Sequence, residues 1–257
     1  EEDFLSWGWR IPFLLSSVLV LLGLWIRKDI DETPDFKKVK QSGQVAKAPL
    51  RDTLKHHWRE VLIAAGLKVV ETAPFYIFST FVVSYATTML TYQKSQALEA
   101  VTLGALVATV MIPLMGLLSD KIGRQRMYAA SVFILGLFIV PWFMLLNTGT
   151  TWGIVLATVI AFGVLWAPVT AVLGTLCSEI FSANVRYTGI TLGYQLGAAL
   201  AGGTAPLIAT GLLAKYDGDW IPVAWYLAVT VVISLIAIFC ASRVKRTTLL
   251  QAQPEHL

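Results

Sequence analysis

Long apolar stretches separated by short polar connections dominate the pattern of this chain. Seven of them approach or exceed the roughly 20 residues that a helix needs to cross a bilayer: Ile11–Ile26, Val61–Met89, Ala100–Leu118, Met127–Leu146, Trp152–Cys177, Thr188–Leu213 and Ile221–Ala241. None alternates apolar and polar residues as a half-buried strand does. Because lipid offers no hydrogen-bond partners, each span must satisfy its backbone internally. The pattern predicts an all-α, polytopic helical membrane protein with seven transmembrane spans.

The composition is typical of a chain embedded in a bilayer. Of 257 residues, 56% are apolar and only 14% are charged, whereas soluble domains carry about 25% charged residues. The nine Trp, eight Tyr and twelve Phe supply too much apolar surface for a disordered chain. Two Cys cannot build a disulfide framework, and no Cys/His spacing suggests a metal site. We therefore expect a bilayer as partner, with no metal and no cofactor.

The basic residues are divided unevenly between the two sides of the predicted membrane. Sixteen of the 20 Lys and Arg lie in alternate connections and the tail, whereas Arg10, Lys94 and Lys215 lie on the opposite side and Lys68 lies within a span. Since basic residues are retained in the cytoplasm, the richer side is predicted to be cytoplasmic. The chain then starts outside and its C-terminus is cytoplasmic. Because the basic residues lie beside the predicted spans, the net charge of +4 indicates contact with lipid and not with nucleic acid.

The connections predict four regions along the chain. They are a first helix with its lead-in (1–26), a cytoplasmic central loop (27–60) with a flexible linker from Phe36 to Pro49, a six-helix bundle (61–242) and a cytoplasmic tail (243–257). The chain opens on Glu1 and resembles no signal peptide. An odd number of spans beginning outside leads us to expect further spans upstream. A seven-helix protein with a processed start is the alternative.

The connection between the third and fourth predicted spans reads Gly116-Leu-Leu-Ser-Asp120-Lys-Ile-Gly123-Arg124-Gln-Arg126. Gly123 permits a tight turn, and Gly116 lets a neighbouring helix approach closely. Asp120 can cap a helix or pair with Arg124 four residues on. The stretch resembles the loop signature of the major facilitator superfamily, G-x-L-x-D-x-x-G-R-x-R, with every fixed position occupied. A basic hairpin with a glycine turn is the alternative interpretation.

A second connection carries opposite charges at two span ends. Glu179 ends the fifth predicted span and Arg186 opens the sixth. The superfamily resemblance implies that both join Asp120 and Arg124 in a charge cluster, a gate that closes the cytoplasmic side. Alternatively, Glu179 and Arg186 are exposed interfacial charges, whose pairing would be worth at most about 1 kcal/mol.

Three further stretches narrow the resemblance. Ser6–Ser16, Glu32–Phe36 and Val185–Gly197 are similar to segments of the metabolite:proton symporter family. The likeness implies that the seven spans are helices six to twelve of a twelve-helix fold. The first span would then be the last helix of the N-terminal half, and the rest of that half is missing here. We then expect residues 1–257 alone not to transport.

The family implies proton-coupled symport of a small organic acid or related metabolite by alternating access across the cell membrane, here a bacterial inner membrane. A facilitator or antiporter of the same fold is the first alternative. A non-transporting membrane scaffold or a channel is the second, although a channel would show polar rings in several spans. No P-loop, nucleophile elbow or metal-spaced set indicates an enzyme.

The second predicted span holds the only ionisable pair well inside an apolar stretch. Lys68 and Glu71 are spaced i, i+3 and share a helix face. Burial favours the neutral form of each group and the opposite charge favours the ionised form, so a substrate anion or a proton can tip the balance. We expect Lys68 to attract the anion and Glu71 to exchange the proton. Two other interpretations are equally open: a fixed salt bridge that holds the helix, or pairing of these charges with residues of the missing half.

Other features of the spans suggest a cavity and bending points. Further candidate substrate residues, which could equally be packing residues, are Tyr76, Tyr85, Tyr194 and Gln195. Prolines should weaken or bend their helices, above all Pro74 beside the charged pair. Gly189, Gly193 and Gly197 form a small-residue stripe, and by resemblance this stripe faces the missing half and glides on it. Plain helix packing explains the stripe as well.

Overall fold

The computed structural model describes Asp3, residues 6–29 and residues 49–251, and every regular element in these ranges is a helix. The α-helices are Ile11–Asp29, Pro49–His56, Trp58–Tyr76, Val82–Thr88, Lys94–Ile122, Arg124–Leu146, Thr151–Thr158, Trp166–Ser178, Arg186–Gly197, Ala205–Lys215 and Ile221–Gln251. A 3-10 turn covers Gly8–Arg10, and π-helical segments cover Ile77–Phe81, Val159–Leu165 and Ala198–Gly202. The predicted all-α class is confirmed.

Seven helices are long and apolar enough to cross a membrane, and we call them the first to seventh spans. They are Gly8–Ile26, Trp58–Thr88, Lys94–Ile122, Arg124–Leu146, Thr151–Ser178, Arg186–Lys215 and Ile221–Arg243. The predicted number and order of spans are confirmed. The third span differs most, since it begins at Lys94 and not at Ala100. Gln93 and Gln96 form a capping box there, in which each side chain binds the other residue's backbone amide. The helix therefore begins within the polar segment that precedes the apolar stretch.

The chain divides into two compact units, residues 1–45 and 46–257. In the first unit the Arg10 guanidinium lies 4.4 Å from the Trp9 ring centroid, in the first turn of the first span. The linker predicted from Phe36 to Pro49 lies outside the described residues up to 48. Beyond it, the loop predicted over residues 27–60 is not continuous coil, because Pro49–His56 is helical. Thr53 of this helix is fully buried, so packing against the bundle stabilises a segment that the charge pattern alone indicated as loop.

The second and fifth spans form the centre of the bundle, whereas the third is mostly exposed. Aromatic side chains fill the core, with the ring centroid of Trp142 lying 5.0 Å from Phe78 and 4.7 Å from Phe143. All three side chains are almost wholly inaccessible. The fourth span, which carries Trp142 and Phe143, is thereby fixed to the second.

The glycine stripe of the sixth span packs inside this bundle. A Cβ added at Gly193 would lie 2.5 Å from Ala64 Cβ, and one at Gly197 would lie 2.5 Å from the Ala65 carbonyl oxygen. The expectation that the stripe faces the missing half is therefore wrong. Small residues on both helices bring the backbones of the second and sixth spans together, and a sequence pattern cannot reveal which neighbour a stripe meets.

The prolines interrupt the spans less than their sequence positions suggest. Pro113 and Pro141 lie within continuous helices. The helix also continues past Pro74, and it widens into a π-helix only at Ile77. Pro206 lies in the first turn of its helix, where a missing N–H costs nothing.

Substitution of Gly193 by Ala should separate the second and sixth spans. The added methyl meets Ala64 Cβ and backbone, neither of which can rotate away, and such overpacking costs about 1–3 kcal/mol. Thermal unfolding in detergent should show this loss. Gly211→Ala is the matched control on the same span, because no described atom lies within 4 Å of a Cβ there. Equal melting temperatures for the two variants would contradict this packing.

Candidate functional site

A cavity of about 370 Å³ surrounds the ion pair predicted in the second span. Lys68 Nζ lies 2.5 Å from Glu71 Oε2, and the side chains are only 17% and 13% exposed. The cavity is lined by Lys68, Glu71, Thr72, Phe75, Tyr76, Trp166, Tyr194, Gln195 and Ala198. The structure thus brings together five of the six residues predicted for substrate and proton. Their functional roles stay predictions.

Both oxygens of the Glu71 carboxylate accept hydrogen bonds from threonine hydroxyls. Thr72 Oγ1 lies 2.9 Å from Oε2 and 3.0 Å from the Lys68 carbonyl oxygen, so its one proton is shared between them, and Thr170 Oγ1 of the fifth span lies 3.3 Å from Oε1. With Lys68 as the counter-ion, these donors compensate the negative charge that burial would otherwise penalise. The sequence analysis predicted neither residue. Thr72 could have been found from its position next to Glu71, whereas no sequence pattern indicates Thr170.

Aromatic rings form the other walls of the cavity. Lys68 Nζ lies 4.9 Å from the ring centroid of Tyr194, within reach of a cation–π interaction. Phe75 and Trp166 pack with centroids 5.2 Å apart. Tyr194 Oη is buried and lies beside the Cys177 thiol, a weak hydrogen-bond partner. The cavity therefore offers a cation, an anion, a phenol hydroxyl and apolar faces to one small ligand.

Side chains from other spans hold the backbone on which the ion pair is mounted. Tyr128 Oη of the fourth span donates to the Leu67 carbonyl at 2.5 Å. Ser234 Oγ of the seventh span donates to the Gly66 carbonyl at 2.6 Å and accepts from Val70 N–H at 3.1 Å. These groups are buried or partly buried, where an unmade hydrogen bond is costly. The second span is therefore fixed at the level of Lys68.

The fifth span contributes a third such contact. Trp166 Nε1 donates to the Glu71 carbonyl at 2.6 Å, so the indole is both a wall of the cavity and a hydrogen-bond donor. No sequence pattern indicates this role, because an aromatic residue in a span is most often a packing residue. The orientation of Trp166 depends on how the second and fifth spans are rotated against each other.

Three π-helical segments of the described chain adjoin the cavity, one in each of the second, fifth and sixth spans. Tyr76 immediately precedes the first segment, Trp166 immediately follows the second, and Ala198 is the first residue of the third. A π-turn inserts one extra residue into a helix and commonly marks a functional position. The cavity walls are thus built where three spans depart from regular α-helical register.

The sixth predicted residue, Tyr85, lies elsewhere. It is buried in the aromatic core, stacked on Phe81 at 5.6 Å, and Asn147 Nδ2 donates to its hydroxyl at 3.2 Å. Tyr85 does not line the cavity around Lys68. Spacing along the helix could not show this, because the π-helical segment at Ile77–Phe81 changes the face that later residues present.

Three of the four charges predicted for the cluster meet at one end of the bundle. Arg124 Nη1 lies 2.6 Å from Glu179 Oε1, and Nη2 lies 3.2 Å from Asp120 Oδ1. The Arg124, Glu179 and Asp120 side chains are 35%, 27% and 60% exposed. Solvent screens such pairs, so each is worth about 1 kcal/mol or less. Lys121 and Arg126 belong to the same connection as Arg124, and we therefore call this end of the bundle the basic end.

The other predicted gate residues lie close to this cluster. Gly123 joins the third and fourth spans with φ +97°, so the predicted glycine turn is confirmed. Arg186 Nε donates to the Phe181 carbonyl at 3.3 Å. Arg126 is exposed and makes no ion pair with another described residue. Gly116 is not closely approached, since no described atom lies within 4 Å of a Cβ built there.

Comparison with known proteins identifies the family. The family model of the Major Facilitator Superfamily matches residues 4–202 and, in a second overlapping match, residues 75–256. The chain belongs to the major facilitator superfamily. The predicted family is confirmed, and a major facilitator helical fold agrees with the seven spans and with the glycine turn of the loop signature.

Relatives of this superfamily member are transporters by name. The shikimate transporter of Escherichia coli is 33% identical over 91% of this chain and 54% of its own length. The inner membrane metabolite transport protein YhjE of Escherichia coli is 30% identical over 97% and 57%. The glycine betaine/proline/ectoine/pipecolic acid transporter OusA of Dickeya dadantii is 29% identical over 92% and 48%.

The chain thus spans about half the length of the curated relatives it matches. No solved structure gives a significant match. These relatives are named as transporters and not as enzymes.

Removing one partner of the Lys68–Glu71 pair should destabilise the bundle more than removing both. Lys68→Met leaves a buried carboxylate without its counter-ion, which costs about 3–5 kcal/mol, whereas Lys68→Met/Glu71→Gln leaves no charge. Reversible unfolding in mixed micelles at pH 8 measures both variants and Glu71→Gln. We expect the double variant to be more stable than Lys68→Met. Additive losses would mean that the two side chains do not interact.

Proposed function

We propose that this chain is part of a secondary transporter that carries a small organic acid or related carboxylate metabolite across the membrane together with a proton. The observation that supports the proposal is the buried Lys68–Glu71 pair inside the 370 Å³ cavity. A charge pair within a membrane span is expensive to maintain, and residues of this kind commonly mark substrate or proton pathways.

The substrate carboxylate would compete with Glu71 for Lys68. The ammonium can turn toward the cavity while its aliphatic stem stays beside Tyr194, whose ring contributes a second attraction for the cation. Gln195 and the Tyr194 hydroxyl can then bind polar groups on the substrate, and Phe75 and Trp166 can cover its apolar part. Specificity for a carboxylate would rest on Lys68, the only cation among the described residues that line the cavity.

Proton coupling would follow from the same exchange. When a substrate anion takes Lys68, Glu71 loses its counter-ion and keeps only the hydroxyls of Thr72 and Thr170. An unpaired carboxylate at low dielectric favours its protonated form. Binding of an anion would therefore favour binding of a proton at Glu71, and release of either would restore the ion pair.

The relatives support this choice of substrate class. Their names include shikimate, proline and glycine betaine, and each of these compounds carries a carboxylate. A carboxylate bound by Lys68 is the feature that an organic acid and a zwitterion share. A zwitterion would also place its own cation near Glu71, and on this ground we favour an anion, which leaves Glu71 available to the proton.

Alternating access needs a second wall and a surface that opens. We propose that an N-terminal half, corresponding to the length of the relatives that this chain does not cover, completes the cavity in a bacterial inner membrane. The exposed Arg124 cluster would then be a gate on the cytoplasmic side, whose pairs break at low cost. The π-helical segments beside the cavity would be the places where the second, fifth and sixth spans bend.

Replacement of Glu71 by Gln in the full chain should abolish proton coupling. With its proton-exchanging group gone, uptake of a labelled organic acid into proteoliposomes should fall to the rate measured without a pH gradient. Lys68→Met should raise KM by tenfold or more, because it removes the attraction for the carboxylate, worth about 1.4 kcal/mol per tenfold change in affinity.

Exposed residues of the third span and its flank provide matched controls. Glu99→Gln and Lys94→Met remove the same charges at exposed positions, so both variants should keep coupling and KM. Wild-type coupling in Glu71→Gln together with wild-type KM in Lys68→Met would overturn the assignment of these roles.

The proposed orientation can be tested by labelling single cysteines in inverted and right-side-out vesicles. In a background with Cys177 and Cys240 replaced by Ala, Lys121→Cys and Asn184→Cys should react with an impermeant maleimide only from the cytoplasmic side. Lys94→Cys should react only from the opposite side, because the intervening spans cross the membrane once each. Labelling of Lys121→Cys and Asn184→Cys from different sides would contradict the topology.

A further inference from the structure

A second cavity, of about 370 Å³, lies between the fourth and seventh spans at the basic end of the bundle, apart from the residues around Lys68. One part of its wall is apolar and consists of Ala129, Leu235, Ile238 and Phe239, whereas Gln125 and Arg126 lie at its polar end. Phe239 is 58% exposed, so the groove is open along the bundle surface. The fourth and seventh spans run antiparallel here, which makes the groove parallel to the span axes.

The polar end of this groove is basic. Arg126 is exposed and forms no ion pair with any described residue, and none of the described residues that line the groove is a carboxylate. The nearby carboxylates, Asp120 and Glu179, are bound by Arg124. The guanidinium of Arg243 lies 4.5 Å from the Phe239 ring, which places a second positive charge beside the groove. An anion at this end would meet the guanidinium of Arg126 and the side-chain amide of Gln125.

The backbone adds to this positive potential. The helix of the fourth span begins at Arg124, directly after Gly123. The first N–H groups of a helix lack intrahelical acceptors and carry the positive end of its dipole, which favours a phosphate. The polar end of the groove therefore combines side-chain charge, hydrogen-bond donors and a helix N-terminus.

We propose that this groove binds an anionic phospholipid, with the phosphate at Arg126 and Gln125 and one acyl chain along Ala129, Leu235, Ile238 and Phe239. Charge complementarity at one end and an apolar wall continuing toward the membrane interior are the two requirements of such a ligand, and basic pockets between spans bind lipid headgroups of this class. A free anion would use only the charge complementarity and would leave the apolar wall uncovered. The contact of Val231 with Gly136, where an added Cβ would lie 2.9 Å from Val231 Cγ1, limits the groove toward the opposite membrane surface.

Photocrosslinking to the full chain in mixed micelles tests the proposal. The probes are phosphatidylglycerol and phosphatidylcholine that carry the same diazirine acyl chain, and peptide mass spectrometry locates the label. We expect phosphatidylglycerol to label the segments around Ala129 and Leu235–Phe239 at least fivefold more than phosphatidylcholine does. A basic residue near an anionic headgroup is worth about 1 kcal/mol, which corresponds to roughly fivefold in affinity.

Two variants separate the charge from the apolar wall. Arg126→Gln should remove about fivefold of the preference for phosphatidylglycerol, whereas Ala129→Phe, which fills the groove, should lower labelling by both lipids. Lys121→Gln is the matched control, because it removes a charge from the same connection at an exposed position outside the groove. It should keep the wild-type preference.

Equal labelling by the two lipids in the wild-type chain would overturn the proposal, as would an unchanged preference in Arg126→Gln. Displacement of the phosphatidylglycerol label by millimolar inorganic phosphate, with Ala129→Phe labelled as the wild type, would indicate a phosphate site without an acyl chain. That result would also overturn the proposal. None of these measurements depends on transport, so they are independent of the function proposed for Lys68 and Glu71.

Discussion

A lysine and a glutamate within a membrane-spanning helix must neutralise each other or be supplied with other partners, because lipid cannot solvate either charge. The arrangement around Lys68 and Glu71 follows from this constraint. The two charges are in contact, the carboxylate accepts bonds from Thr72 and Thr170, and the ring of Tyr194 faces the ammonium. A site compensated from several spans also depends on all of them, since moving one span alone would leave a buried charge with fewer partners.

The same dependence extends to the backbone of the second span. Tyr128 and Ser234 bind its carbonyl groups from the fourth and seventh spans, and Trp166 does so from the fifth. Aromatic packing around Trp142 and close contact at Gly193 hold the second span from two further directions. The second span is therefore held by several neighbours at the level of the ion pair, and departures from α-helical geometry occur in the π-helical segments that adjoin it.

Periodicity and spacing within a single span predict the features that depend on that span alone. The seven spans, the Lys68–Glu71 contact and the turn at Gly123 are of this kind. The roles of Thr170 and Trp166, the position of Tyr85 and the partner of the glycine stripe depend on how helices are rotated against each other. One residue of π-helical register is enough to turn a side chain to another face, and the sequence carries no separate signal for it.

The two charge clusters differ in a way that bears on the proposed cycle. The Arg124 pairs are solvent-exposed, so water replaces either partner and opening the basic end costs about 1 kcal/mol per pair. The Lys68–Glu71 pair is nearly inaccessible, and separating it without replacement costs several times more. In the proposed cycle, thermal motion would open the first cluster unaided, whereas the second would need a substrate carboxylate for Lys68 and a proton for Glu71. This difference in exposure would make substrate and proton move together, because a proton or an anion alone leaves one buried charge without a partner.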